Sequence, residues 1–143
     1  MIRQLDIPIY DTNVLFLLDV TKDEFADFLD NEVNKSKINE SEIKEIFDDI
    51  ANDKWDGTLF TLSSGNYVSL IKKADDVRNY SHELFHIADQ ILKDRGVEYT
   101  ENNEALAYLV GWLNVQYSYV LEDMKPQMLI RDINSQRITK TTL

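Results

Sequence analysis

Residues 75–96 read DDVRNYSHELFHIADQILKDRG. No Pro or Gly interrupts the run before Gly96, and apolar side chains recur at helical spacing, so the stretch predicts one long helix over 75–95 that Gly96 ends as a C-terminal cap. Stepping about 100° per residue from His82 gathers Val77, Tyr80, Leu84, Ile87, Ala88 and Ile91 on the far side of the wheel. His82, His86, Asp89 and Lys93 share the opposite side. The helix therefore packs on the core with its back and turns both histidines away from it.

Those histidines sit in His82-Glu83-Leu84-Phe85-His86, an HExxH motif, and they are the only two in the chain. Residues four apart on a helix stand one above the other, so both imidazoles can reach a single ion. Zinc takes imidazole nitrogen at about 2.0–2.1 Å in a tetrahedral set. Glu83, one residue on, can stand beside the metal and take a proton from bound water without ligating. By composition the pattern arises in a chain of this length about once in a few hundred cases, and here it falls where a helix is expected independently.

A catalytic zinc wants a third protein ligand and an open position. No third histidine exists and there is no cysteine, so an acid has to serve. Glu104 opens the run EALAYLVGWLNVQYSYVLE, in which no further formal charge occurs before Glu122. That run is apolar nearly all round and predicts a buried helix from Thr100 or Asn102 to about Leu121, on which a carboxylate is costly unless paired or bound to metal. Ala107 and Gly111 share its side of the wheel and would admit the HExxH helix closely. Glu101 is the second choice as ligand. Asp89, one turn beyond His86, is a third, either as ligand or as a group that orients one.

Outward from these helices, residues 5–10 and 14–20 read as strands joined by a turn at Asp11-Thr12-Asn13. Thr21 and Glu24 form a capping box for a helix reaching about Asn31. Residues 32–38 are polar, and Asn39 or Ser41 caps a helix carrying Ile43, Ile46, Phe47 and Ile50. After a break at 53–57, residues 58–62 and 67–72 alternate as the strands of a hairpin. Residues 132–143 are polar and read as a frayed tail on a single domain of residues 1–131.

The chain of 143 residues has 43% hydrophobic and 29% charged residues and a formal net charge of −11. Such a chain suits one globular domain with a core of its own and gives no basic surface for nucleic acid. The apolar N-terminus is broken by Asp6, Pro8, Asp11 and Asn13, unlike a signal peptide, and no stretch reaches the roughly 18 apolar residues of a membrane span. Without cysteine, a cytoplasmic home is expected and disulfides are excluded.

HELFH followed by a glutamate on the next helix resembles the gluzincin branch of metallopeptidases. Within it, ENNEALAYL is similar to the glutamate helix of the small ImmA/IrrE-type peptidases of phages and mobile elements, with Glu104-Ala105-Leu106-Ala107 on the segment that supplies their third ligand. The likeness covers residues 76–115. The chain departs from that pattern at Phe85, where a Gly usually precedes the second His, and at Leu106, where an Asn is usual. It also lacks a third, downstream His.

The resemblance implies an α+β, minimal zincin-like fold: a small, twisted, mainly antiparallel sheet packed on the HExxH helix and on a buried glutamate-bearing helix. It also implies an edge strand that pairs with an extended peptide, for which residues 67–72, with Tyr67, Val68, Ser69 and Leu70, are the expectation. The function to be expected is a zinc peptidase acting on a peptide or protein substrate. Zn2+ is held by His82, His86 and Glu104, Glu83 is the general base, and Tyr108, or one of Tyr80, Tyr117 and Tyr119, donates to the oxyanion. Two other readings suit the acidic surface: a non-catalytic binding protein on the same scaffold, and a mimic of DNA.

Overall fold

The computed structural model describes residues 1–31, 40–52, 56–61, 65–98 and 104–124. Strand β1 (Ile2–Ile7) leads through a 3-10 turn (Pro8–Tyr10) into β2 (Thr12–Leu18); helices α1 (Lys22–Asn31) and α2 (Glu40–Ala51) follow, then β3 (Gly57–Thr61), β4 (Tyr67–Ile71), α3 (Val77–Asp94) and α4 (Glu104–Asp123). The fold is α+β. The four described strands form one mixed sheet in the order β1-β2-β4-β3, with β2 and β4 parallel and the two outer pairings antiparallel. No described helix is long and apolar enough to cross a membrane.

The first strand lies three residues earlier than its pattern suggested. Pro8, which lacks an N–H for a ladder, starts the 3-10 turn instead, and Asp11 follows it in the left-handed region at φ 48°. The hairpin of β3 and β4 forms as expected, from Gly57 opposite Ile71 to Thr61 opposite Tyr67. One expectation is overturned here. Tyr67, Val68, Ser69 and Leu70 belong not to an edge strand but to an inner one, flanked by β2 and β3 and buried at every residue. Among the described residues, strand β3 is the edge on that side.

Alternation along the inner strands sends side chains to two cores. Val14, Phe16, Leu18, Tyr67 and Ile71 pack under α3 and α4, against Leu84, Ile87, Ala88, Ile91, Leu109, Leu113 and Tyr117. Leu17, Val68 and Leu70 face the other way, onto Phe25, Phe28 and Leu29 of α1 and the partly buried Ile43, Ile46, Phe47 and Ile50 of α2. The sheet is thus covered on both faces.

Both ends of α3 are fixed. The Asp76 carboxylate accepts from the backbone N–H of Arg78 and Asn79 at 2.9 and 3.2 Å. At the other end Gly96 adopts φ 70°, and the N–H groups of Gly96 and Val97 return to Lys93 O and Leu92 O. Of its far-side apolar residues, Leu84, Ile87, Ala88 and Ile91 are buried as the wheel required, Tyr80 is partly buried, and Val77 is 62% exposed in the first turn.

Helix α4 departs further from expectation. Only Leu109, Leu113 and Tyr117 are buried, while Tyr108, Val115 and Tyr119 face outward. Ala107 and Gly111 do not form a close approach: both are exposed, and a Cβ built on Gly111 meets nothing within 4 Å. The glutamate-bearing helix is therefore half-buried rather than buried. Its anchor is Tyr117, whose hydroxyl donates to Ala74 O at 2.6 Å.

The capping box on α1 is present in both directions. Thr21 N–H donates to Glu24 Oε1 at 3.1 Å and Glu24 N–H donates to Thr21 Oγ1 at 3.2 Å. These bonds hold the Glu24 carboxyl below its ordinary value. A carboxyl whose folded pKa is depressed stabilises the fold above its unfolded pKa and ceases to as pH falls through the folded one. Thr21→Ala is accordingly expected to cost about 1 kcal/mol at neutral pH, and less in acid, where Glu24 is protonated. Urea unfolding at the two pH values reads the difference.

Residues 32–39, the 53–55 break, Thr100, Glu101, Asn102 and the 132–143 tail lie outside the described residues.

Candidate functional site

Helix α3 crosses the β3–β4 side of the sheet and turns His82 and His86 outward; both are exposed. Their Nε2 atoms lie 3.0 Å apart, with the rings nearly perpendicular at 86°. Two imidazoles on a tetrahedral zinc, each at about 2.0–2.1 Å, have their nitrogens about 3.3–3.4 Å apart. The two nitrogens thus converge on one point with a spacing close to what a shared ion needs. Without an ion, one Nε2 can donate to the other.

Glu83 sits between this face and the core and is 4% exposed, the one charged side chain among the buried residues described. Its carboxyl fills a space that exists because residue 57 has no side chain. A Cβ on Gly57 would stand 2.4 Å from Glu83 Cδ and 2.6 Å from Oε1. Burial pushes the Glu83 carboxyl above the ordinary carboxylate range; the charge of His82 opposes this and that of Asp56 adds to it. A carboxyl raised in this way holds a proton more readily than an ordinary surface carboxylate, which suits it to accept and return one.

His82, Glu83 and His86 line one cavity of about 330 Å³ with Gly57, Thr58 and Leu59 of β3 and with Asp89 and Gln90 one turn further along α3. The edge strand beside the imidazoles is therefore β3. Asp89 reaches this cavity, but its carboxylate accepts from Lys93 Nζ at 2.8 Å. A larger cavity, about 550 Å³ and almost wholly apolar, lies elsewhere, between the Pro8–Tyr10 turn and the start of α4.

Among the described residues no three His, Asp or Glu side chains come together as a set able to hold a metal ion. The imidazole pair is therefore not joined there by Asp89 or by Glu104, which is exposed at the head of α4. Glu101 falls outside the described residues. None of the four tyrosines considered as oxyanion donors lines the imidazole cavity. Tyr108 lines the apolar one instead, the Tyr117 hydroxyl is spent on Ala74 O, Tyr80 stacks on Tyr117 at 4.7 Å, and Tyr119 is exposed.

Sequence reasoning missed Gly57. Its only signal was a lone glycine at the start of a strand pattern, which marks a close approach of something to the backbone. No protein-family model, no curated protein and no solved structure matches this chain.

Proposed function

We propose that this chain is a zinc-dependent peptidase. The reading is carried by one observation: two imidazole nitrogens 3.0 Å apart converge at the mouth of a cavity whose wall includes a nearly buried carboxyl. His82 and His86 would hold the metal through Nε2, with Glu101 as the third ligand in place of Glu104, which the described residues do not bring to the pair. When bound, zinc supplies Lewis acidity, acidifying a water and polarising a carbonyl. Glu83 would serve as the general base, its carboxyl taking up a proton and returning it to the leaving amine. The α3 helix and the strand floor at Gly57 keep its carboxyl in one place, which is where orientation contributes to rate. Strand β3, which pairs only with β4 among the described residues, offers its outer edge to an extended peptide in place of the inner strand β4. A chain without cysteine suits the reducing cytoplasm.

A second reading, a binding protein on the same scaffold, is favoured by the two-member donor set. Elemental analysis separates the two. The peptidase is expected to carry one zinc per chain, and His82→Ala or His86→Ala to lose it. A wild-type protein that takes up no zinc after incubation with the metal sinks the peptidase reading, as would partner capture indifferent to His82→Ala.

A further inference from the structure

The cavity of about 330 Å³ beside the imidazoles is bounded further along α3 by Asp89 and Gln90. We propose that Gln90 is a substrate-binding residue, whose side-chain amide pairs with a main-chain peptide group of the substrate on the N-terminal side of the cleaved bond. The inference rests on the peptidase reading and adds to it a contact that a peptide of any sequence can make.

The amide is held in one orientation. Gln90 Nε2 donates to Asp94 Oδ1 at 2.8 Å. A carboxylate only accepts, so the nitrogen of the amide, and not its oxygen, has to face Asp94. Asp94 is fixed in turn, because its other oxygen accepts from the hydroxyl of Tyr67 on the inner strand β4.

One N–H and Oε1 of that amide remain, and neither has a partner among the described residues. Gln90 is half-buried, yet Oε1 stays open to solvent. A peptide group offers the complement, one C=O and one N–H. The other polar side chains of the cavity are differently placed. The imidazoles and Glu83 have their own parts in the reaction, and Asp89 is paired with Lys93 at 2.8 Å. Thr58 and Gln90 are left, and only the amide presents donor and acceptor on separate atoms, as a peptide group does.

Chain direction places Gln90 relative to the bond. Asp56 lies against Asn79 and Gly57 against Glu83, so β3 and α3 run the same way past the site. Gln90, further along α3 than Glu83, stands toward the Leu59 end of the cavity. A peptide added to β3 in the slightly more stable antiparallel sense runs from Leu59 toward Gly57. Its N-terminal side then passes Gln90.

The test uses the full chain loaded with zinc and a mixture of synthetic peptides of varied sequence, with products read by mass spectrometry. One cleaved peptide is then remade with each main-chain N–H on the N-terminal side of the bond replaced in turn by an ester oxygen. Gln90→Leu is expected to keep the zinc content and urea midpoint of the wild type. It should lower kcat/KM by about three- to tenfold, the worth of a hydrogen bond, for all cleaved peptides alike. One ester should cost the wild type a similar factor and cost Gln90→Leu nothing. Gln90→Met repeats the measurement with an unbranched side chain should leucine disturb the fold. Undiminished kcat/KM in the variants, a loss confined to peptides with one type of side chain, or losses from variant and ester that multiply at every position overturn the contact and leave the peptidase reading standing. No cleavage of any peptide by the wild type overturns both.

Discussion

Glu83→Gln is expected to fold, to bind zinc as the wild type does, and to lose turnover by about a hundredfold to ten-thousandfold, the range a positioned general base supplies. Glutamine has the shape of glutamate, so it fits the space over Gly57 that the carboxyl occupies. It ligates no worse, because Glu83 is not among the proposed ligands. It cannot hold the water's proton. Stability should not suffer. The wild-type carboxyl is nearly buried, burial raises its pKa, and an acid whose folded pKa is raised destabilises the fold as pH climbs through its unfolded value. The amide carries no such penalty, so its urea midpoint at neutral pH should equal or exceed that of the wild type. Zinc per chain, urea midpoint and kcat, measured on one preparation, check the three parts together. A variant as active as the wild type would remove Glu83 from the chemistry.

The outward pose of the histidines was legible because it depends only on helical period: once Leu84, Ile87, Ala88 and Ile91 claim the core, His82 and His86 must face away. The hairpin of β3 and β4 was legible for a similarly local reason. The position of β4 in the sheet was not read, although YVSLI carried a signal. An apolar run without alternation is the mark of a strand covered on both faces, and β4 is buried at all five residues. Its partner β2 is more than forty residues away in sequence, and such a parallel pairing leaves no local pattern.

Helix α4 failed for a different reason. Periodicity reports which residues can be buried, not whether a second layer exists to bury them. Among the described residues only the sheet and α3 cover α4, on one side, so Tyr108, Val115 and Tyr119 stay exposed, and the metal-ligand role given to Glu104 loses the buried setting that motivated it. The site divides in the same way. The imidazole pair follows from spacing within one helix. The seat of Glu83 requires a contact between that helix and a glycine on another element, which no window of sequence displays.

That seat makes Gly57→Ala the sharper test. A methyl group there would stand 2.4 Å from Glu83 Cδ and 2.7 Å from Cγ, inside any real contact distance. The backbone at Gly57 is not in the left-handed region, so alanine itself is tolerated. What must move is the glutamate, whose carboxyl can swing into the adjoining cavity. The expected result is a protein that folds and binds zinc but turns over about as poorly as Glu83→Gln, because the carboxyl is present and misplaced. The double variant should then be no worse than either single one, since two substitutions that remove the same group's action do not add. In the Glu83→Ala background, where the space is vacated, Gly57→Ala should cost no stability and can raise it by about 0.4–1 kcal/mol through the unfolded chain. Full activity in Gly57→Ala alone would mean that the carboxyl works from the cavity, and that its place on the strand is only where it rests.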